Sequence, residues 1–275
     1  MLATRFAKKS PSFRSSSPIS NDVLRAVAPS IFAEDKHESR SGRYSYIPTF
    51  DVLTGLRKEG FEPFMVCQTR VRDEGMRDFT KHMIRLRHAA QINDAEANEI
   101  ILVNAHNGSS SYQMLAGCFR FVCSNGLVVG DTAADIRIPH KGNILDRVIE
   151  GAYEVQDVFE KVRDQRDSMR GVILAPAEAA IFARSALTLK YDPESGVPAP
   201  ITEAQLLRAR RSEDVRPDLW TTFNTVQENL VQGGLSARNA NGRRSHTRAV
   251  QGIDQTLKIN RALWTMAEEM RKLKA

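Results

Sequence analysis

Apolar and polar side chains alternate with a period of two along much of residues 79–140. In "FTKHMIRLRHA" (79–89), Thr80, His82, Ile84, Leu86 and His88 share one face, and Phe79, Lys81, Met83, Arg85 and Arg87 share the other. Successive strand residues point to opposite sides, so the three basic residues stand in a row. "EIILVNAH" (99–106) follows as a strand and ends in the turn-rich "NGSSS". "CFRFVCSNGLVVGD" (118–131) reads as a hairpin, because Asn125-Gly126 suits a type I′ turn with positive φ at both central positions. "DIRIPH" (135–140) alternates again. Upstream, "RYSYI" predicts a short strand. Phe50, Leu53 and Leu56 predict a helix from Pro48 or Thr49 to Lys58, closed by Gly60. "FEPFMVCQTRV" predicts a strand that Pro63 places at a sheet edge. Together these give an antiparallel, meandering sheet over about residues 44–140, with one helix early in it.

After His140 the period changes to that of a helix. Ile144, Val148, Val155 and Val158 form an amphipathic stripe within 143–171, ending at Gly171. Pro176 opens a second helix, and "DPESGVPAP" (192–200) is a loop or linker. Thr202 and Gln205 stand at capping-box spacing. A further helix starts near 217 and stops at Gly233-Gly234, and "DQTLKINRALWTMAEEMRKLK" is the last. Between these two, "SARNANGRRSHTRAVQG" predicts a mobile basic loop. At the other end, residues 1–20 are rich in Ser, Pro and Lys and predict disorder, and 20–32 a short helix capped by Ser20 or Asn21 and stopped before Pro29. The expected fold class is α+β, a meandering sheet braced by helices with a helical C-terminal part. The expected division is a flexible segment over 1–40, a sheet core over 41–191 and a helical region with a basic loop over 192–275.

Charge adds a second pattern. Of the 275 residues, 1–91 carry 16 Lys and Arg against 10 Asp and Glu, 92–204 carry 10 against 16, and 205–275 carry 13 against 7. Two basic ends flank an acidic middle. That asymmetry points to a polyanionic partner, or to a basic end docking on the acidic middle of a neighbouring subunit, unless it is uneven solvated surface. No run approaches the roughly 20 apolar residues of a membrane span, and no apolar segment follows the basic N-terminus as in a secretory signal. The three cysteines, Cys67, Cys118 and Cys123, are odd in number and lack metal-site spacing, which suits a reducing cytoplasm.

Little in the sequence reads as catalytic. Cys118 and Cys123 lie five apart and face opposite ways in a regular strand, so their thiols read as packing. A Cys123 or His106 hydrolase is the least favoured reading, because no Cys–His–acid set is legible. There is no phosphate-binding Walker loop, no G-x-G-x-x-G and no dense carboxylate cluster, so neither cofactor nor metal is expected. The basic residues carry more. Lys81, Arg85 and Arg87 could join Arg120 and Arg137 on one sheet face and grip phosphates, with Tyr44 and Tyr46 beside them to stack bases. Arg238, Arg243, Arg244 and Arg248 form a second phosphate candidate on the basic loop. The alternative for the strand arginines is an outer face, or pairing with the acidic helix over 143–171.

"VNAHNGSSSYQMLAGCFRFVCSNGLVVGD", "IPHKGN", "DLWTTFNTVQENLVQGG" and "NRALWTMAEEM" closely resemble the phage- and plasmid-borne family called domain of unknown function 932, over most of residues 40–275. The resemblance implies a mobile-element protein and supplies no activity by itself. "GRYSYIPTFDVLTGLRKEGFEPFMV" resembles the opening of phage single-strand annealing proteins of the Erf and Rad type, with Tyr44, Tyr46 and Gly60 at matching structural positions. That second resemblance implies a helix-braced sheet, a homo-oligomeric ring or filament, and single-stranded DNA held in a basic groove without metal or nucleotide. The expected function is thus non-catalytic binding and annealing of single-stranded DNA. The alternative is an anti-defence or regulatory protein that binds a host protein; neither reading involves a membrane.

Overall fold

A computed structural model of the chain describes residues 11–39, 46–88, 90, 96–121, 125–128, 135–138, 144–238 and 242–274; of 125–128, 135–138, 144, 145 and 156 it describes the backbone alone. The chain divides into two compact units. One takes Met1–Phe119, Ala133–Asp157 and Gln251–Ile253, and the other Arg120–Thr132, Val158–Val250 and Asp254–Ala275. The division differs from the expected boundary at 191/192, since a single helix over 144–171 contributes residues to both units.

The first unit is built on an antiparallel meander. Strands β1 (Ser12–Arg14), β2 (Phe61–Gln68), β3 (His82–His88), β4 (Glu96–Asn104) and β5 (Tyr112–Arg120) neighbour one another in that order. β7 (Asp135–Ile138) pairs antiparallel with β5, Arg137 opposite Gln113, and β6 (Asn125–Val128) is counted with the second unit. Asn125 and Gly126 therefore open a strand instead of forming the hairpin turn. Antiparallel sheets often keep one face in water, and a period-two pattern then separates core from solvent. Here His82–Arg87 are buried at every position, so the polar half of the alternation also lies inside.

The N-terminal segment is ordered where it is described. Ser12, Phe13 and Arg14 pair with Cys67, Val66 and Met65, and the Gln68 amide donates to the Pro11 carbonyl at 3.0 Å. Helix α1 (Asn21–Val27) starts on the Ser20 side-chain cap, and the turn Pro29–Phe32 follows. Leu24, Ala28 and Ile31 are wholly buried, which offsets the entropy of ordering this segment. The disorder expected for 1–20 and the flexible 1–40 segment are thus corrected for residues 11–39; residues 1–10 lie outside the described set. β1 also moves Pro63 off the edge, since β2 lies between β1 and β3. Proline has no N–H for the ladder. The pairing register shifts between Pro63 and Met65, and the Pro63 and Phe64 carbonyls accept from the Ile19 and Ser15 amides at 2.8 and 2.9 Å. Of the predicted "RYSYI" strand, residues 43–45 are outside the described set, and Tyr46 and Ile47 are not strand. Helix α2 (Thr49–Lys58) follows, and buries Val52, Leu53 and Leu56.

The second unit is mainly helical. It contains residues 158–171 of α3 (Ile144–Gly171), then α4 (Pro176–Thr188), α5 (Glu203–Leu206), α6 (Leu219–Gln232) and nearly all of α7 (Ile253–Lys274). Asp218 caps α6 by accepting from the Thr221 amide at 2.8 Å. Trp220 and Phe223 of α6 meet Trp264 of α7 edge-on at 6.3 and 6.0 Å between ring centres, a favoured aromatic geometry. Gln227 donates to Asn260 at 2.7 Å in the same buried seam.

The expected mobile loop after α6 is a β-hairpin. β8 (Ser236–Arg238) pairs with β9 (Arg244–His246), Arg238 directly opposite Arg244. Its base is tied down by Gly234 N to Thr247 O (2.8 Å), Thr247 N to Leu235 O (2.9 Å) and Val250 N to Val231 O (2.8 Å). Gly233 makes the approach possible. Its φ is +66°, and a Cβ there would stand 2.6 Å from the Arg248 carbonyl carbon. Strain of this kind costs about 1–3 kcal/mol before the clash is counted. Gly233→Ala is expected to lower the urea midpoint and speed amide exchange at Leu235 and Thr247; unchanged exchange there would show that the hairpin does not depend on this contact.

Candidate nucleic-acid interface

The structure separates the sequence-predicted basic residues into two sets. Arg85 and Arg87 do share a sheet face, as their spacing requires, but that face is dry: they are 3% and 2% exposed. Between them sits Glu99 of β4, 0% exposed. Arg85 Nε donates to one carboxylate oxygen at 2.5 Å and Arg87 Nε to the other at 2.9 Å. The Arg87 guanidinium lies 3.9 Å from the Phe119 ring centre and 4.6 Å from that of Phe64, as cation–π partners do. Arg85 fills the space beside Gly117, where a Cβ would come within 3.0 Å of its Nη2. The exposed phosphate ladder is therefore corrected at both arginines, and their acid is Glu99 on the next strand, not the helix over 143–171.

The other strand candidates do not assemble either. Lys81 is half-buried just before β3. Arg120 ends β5 and binds Asp214 at 2.9 Å, and Asp214 also receives Arg211 at 2.7 Å. Arg211 in turn forks onto both oxygens of Glu228, which raises its pKa further above the ordinary value. Tyr46 is half-buried; its hydroxyl donates to the Ala33 carbonyl, and its ring lies 4.9 Å from that of His106. The Arg137 side chain and Tyr44 lie outside the described residues.

The second set is exposed. Arg238, Arg243, Arg244 and Arg248 all face solvent on or beside the β8–β9 hairpin. Arg238 and Arg244 line an open groove of about 1400 Å³ together with His246, Lys190, Tyr191, Asp192 and the chain from Ser195 to Thr202. Lys190 was not a sequence candidate. Its Nζ donates to the Leu230 and Arg248 carbonyls, both at 2.7 Å, and burial lowers its pKa. It therefore positions the hairpin on the end of α6. Gln205 and Pro200 hold β8 from the other side, through Gln205 Nε2 to Ser236 O (2.7 Å) and Arg238 N to Pro200 O (3.4 Å). Only folding brings 190–205 to 236–246, so no local signal announces this groove.

Of the two residues of the least favoured reading, only His106 is described. His106 is 0% exposed and Cys118 is 1% exposed; Cys123 is outside the described set. His106 belongs to a buried polar cluster around His82. The His82 Nδ1–H donates to Ser30 Oγ (2.8 Å), because that hydroxyl gives its own proton to Gln68 Oε1 (2.7 Å). With that proton on Nδ1, Nε2 is an acceptor, so Thr49 Oγ1, 2.9 Å away and itself accepting from Asn104 (3.0 Å), donates to it. Both ring nitrogens are satisfied with His82 neutral, and burial, then His106, pulls its pKa down to about 3. Among the described residues no group of three His, Cys, Asp or Glu is placed to hold a metal ion, and no helix is long and apolar enough to cross a membrane.

The family model described as Domain of unknown function (DUF932) matches residues 36–264. The chain belongs to this family. It is also 52% identical to UPF0380 protein YafZ and to UPF0380 protein YfjQ, both from Escherichia coli (strain K12). Each alignment runs over 269 residues, 98% of this chain and 97% of the relative. No solved structure matches. The matched region of this DUF932 chain includes the buried Arg85–Glu99–Arg87 cluster and the whole hairpin.

Two outcomes follow from the buried groups. Glu99→Gln removes the carboxylate that the two buried guanidinium groups share and is expected to cost about 3–5 kcal/mol in urea unfolding; a loss under 1 kcal/mol would mean that the arginines do not depend on it. His82 has a folded pKa below its unfolded value near 6.5, so the unfolded state binds more protons between the two. Stability is then fully present above about pH 6.5 and falls by about 2 kcal/mol from pH 7 to pH 5. His82→Gln should flatten that slope, and an equally steep slope in the variant would assign it to other groups.

Proposed function

We propose that this DUF932 chain is a non-catalytic, single-stranded DNA-binding and annealing protein of a mobile element, acting as a homo-oligomer. The supporting observation is the hairpin that exposes Arg238, Arg243, Arg244 and Arg248, two of them along an open groove. Guanidinium groups bind phosphate oxygens in forked pairs without reading sequence, as an annealing protein requires. Their cross-strand position on a tethered hairpin keeps Arg238 and Arg244 together in the free protein, so less ordering entropy is lost on binding. The sheet arginines play no part in this reading, because Glu99 holds them.

A second reading draws on α3. Asp146, Glu150, Glu154 and Asp157 are all exposed at successive spacings of four, four and three, a row of negative charge along one helix face. Such a row fits a basic surface on a host protein.

Anisotropy of labelled single strands and duplexes at 50 and 200 mM salt, with light scattering for mass, separates the readings. Annealing predicts single-strand-preferring binding by an oligomer that weakens steeply with salt. Arg238→Glu with Arg244→Glu should abolish it or flatten its log–log salt slope by about 1.4, roughly 0.7 per lost phosphate contact on a single strand. Absence of binding at 50 mM salt overturns the annealing reading and leaves the acidic face of α3 as the surface to follow.

A further inference from the structure

The groove is not basic throughout. Besides Arg238 and Arg244, its lining includes the Tyr191 ring and the stretch Val197–Pro198–Ala199–Pro200–Ile201. Tyr191 is half-buried, and Val197 is 56% exposed, so both leave apolar surface open to the groove. The loop does not expose Val197 through slackness. Asp192 accepts from the Glu194 amide at 2.9 Å, Gly196 takes a left-handed turn with φ +69°, and Pro193, Pro198 and Pro200 fix φ at three of eight positions. At its far end the Pro200 carbonyl accepts from Arg238 itself, so the apolar stretch and the arginine pair are tied to one another.

We infer that this groove senses strandedness, taking phosphates on Arg238 and Arg244 and unpaired bases on the apolar lining of Tyr191, Val197 and Pro198. The inference rests on the nucleic-acid reading above and assigns the residues that set its preference. A duplex keeps its bases in the stack and offers this groove phosphates only. A single strand offers phosphates and the flat faces of bases together, and every base has such a face, so the contact tolerates any sequence. Val197 at the loop tip is then the specificity-determining position, with the arginines supplying affinity common to both forms.

The test uses the full chain with oligo-dT, oligo-U and a duplex of equal length, comparing the unsubstituted protein with Val197→Ser, Val197→Trp and the Arg238→Glu/Arg244→Glu pair. Val197 is exposed, so neither substitution there disturbs the core. Val197→Ser is expected to weaken single-strand binding about three- to tenfold, and Val197→Trp to tighten it about tenfold, with duplex affinity unchanged in both. The new tryptophan also reports directly, because Trp220 and Trp264 are only 2% and 1% exposed. Its emission should be quenched by single strands and not by duplex. Equal response to oligo-dT and oligo-U places the contact on the base face and phosphate; a strong bias between them adds a contact to the sugar or to the thymine 5-methyl group, and either overturns the two-wall account. If both Val197 variants shift single-strand and duplex affinity by the same factor, strandedness is set elsewhere, while loss of all binding in the arginine pair would still uphold the nucleic-acid reading. Failure of the unsubstituted protein to bind any of the three overturns both.

Discussion

One carboxylate held between two guanidinium groups inside a β-sheet constrains most of the first unit. Glu99 must stand beside Arg85 and Arg87, so the register of β3 on β4 is fixed: Arg85 pairs with Ile101 and His82 with Asn104. A one-residue slip would turn the carboxylate to the opposite face and leave two buried cations. The space beside Arg85 has to be Gly117, and the cover over Arg87 has to be an aromatic face, here Phe119 and Phe64. A buried ion cluster is seldom worth more than a well-packed apolar replacement, because desolvation cancels most of the attraction. Its effect here is on which register is allowed. The opposite face imposes its own polar order through Ser30, Thr49, His82 and Asn104, so β3 is specified from both sides.

That constraint decides which positive charge is left for function. Arginines on strands would make a rigid phosphate-binding surface if they faced solvent, but in this fold they are neutralised within the sheet, and Arg120 is held by Asp214. Of the basic residues singled out in the sequence, the exposed ones lie instead on or beside a short hairpin whose strands are three residues each. Hairpins of that size are marginal in isolation. This one is held by its base: Gly233 permits the close approach to Arg248, and Lys190 ties two carbonyls from separate segments. Lys190 shows how a cation lining a basic groove can serve the geometry of the groove itself.

Element types were largely legible, and their surroundings were not. Ser20, Gly60, Pro176 and Gly233 punctuate helices because caps, left-handed turns and first-turn prolines act through adjacent backbone. Period two correctly put Arg85 with Arg87, since alternation is a property of the strand itself. Whether that face is wet depends on what packs over it, and whether the charges are free depends on Glu99, twelve residues beyond Arg87 and meaningful only once the register is known. Short strands failed for a related reason. Ser12–Arg14 and Ser236–Arg238 carry no pattern long enough to read, and each exists because a partner strand or a helix end supplies its hydrogen bonds. Asn125-Gly126 is the converse case, a strong local turn signal that opens a strand.

The two arginine groups obey one rule with opposite results. A guanidinium on a sheet face must be desolvated when the face is covered, and it then needs an acid at hydrogen-bonding distance or the unit does not fold. A guanidinium on a hairpin edge keeps its water and needs no internal acid, so its forked donors remain suited to an external anion. Counting positive residues along the chain cannot separate the two, because both groups sit in basic segments of equal net charge. What separates them is whether a carboxylate shares the same packed surface. By that criterion β3 and the end of β5 are structural, and the proposed contact with a polyanion falls to the hairpin that carries Arg238 and Arg244.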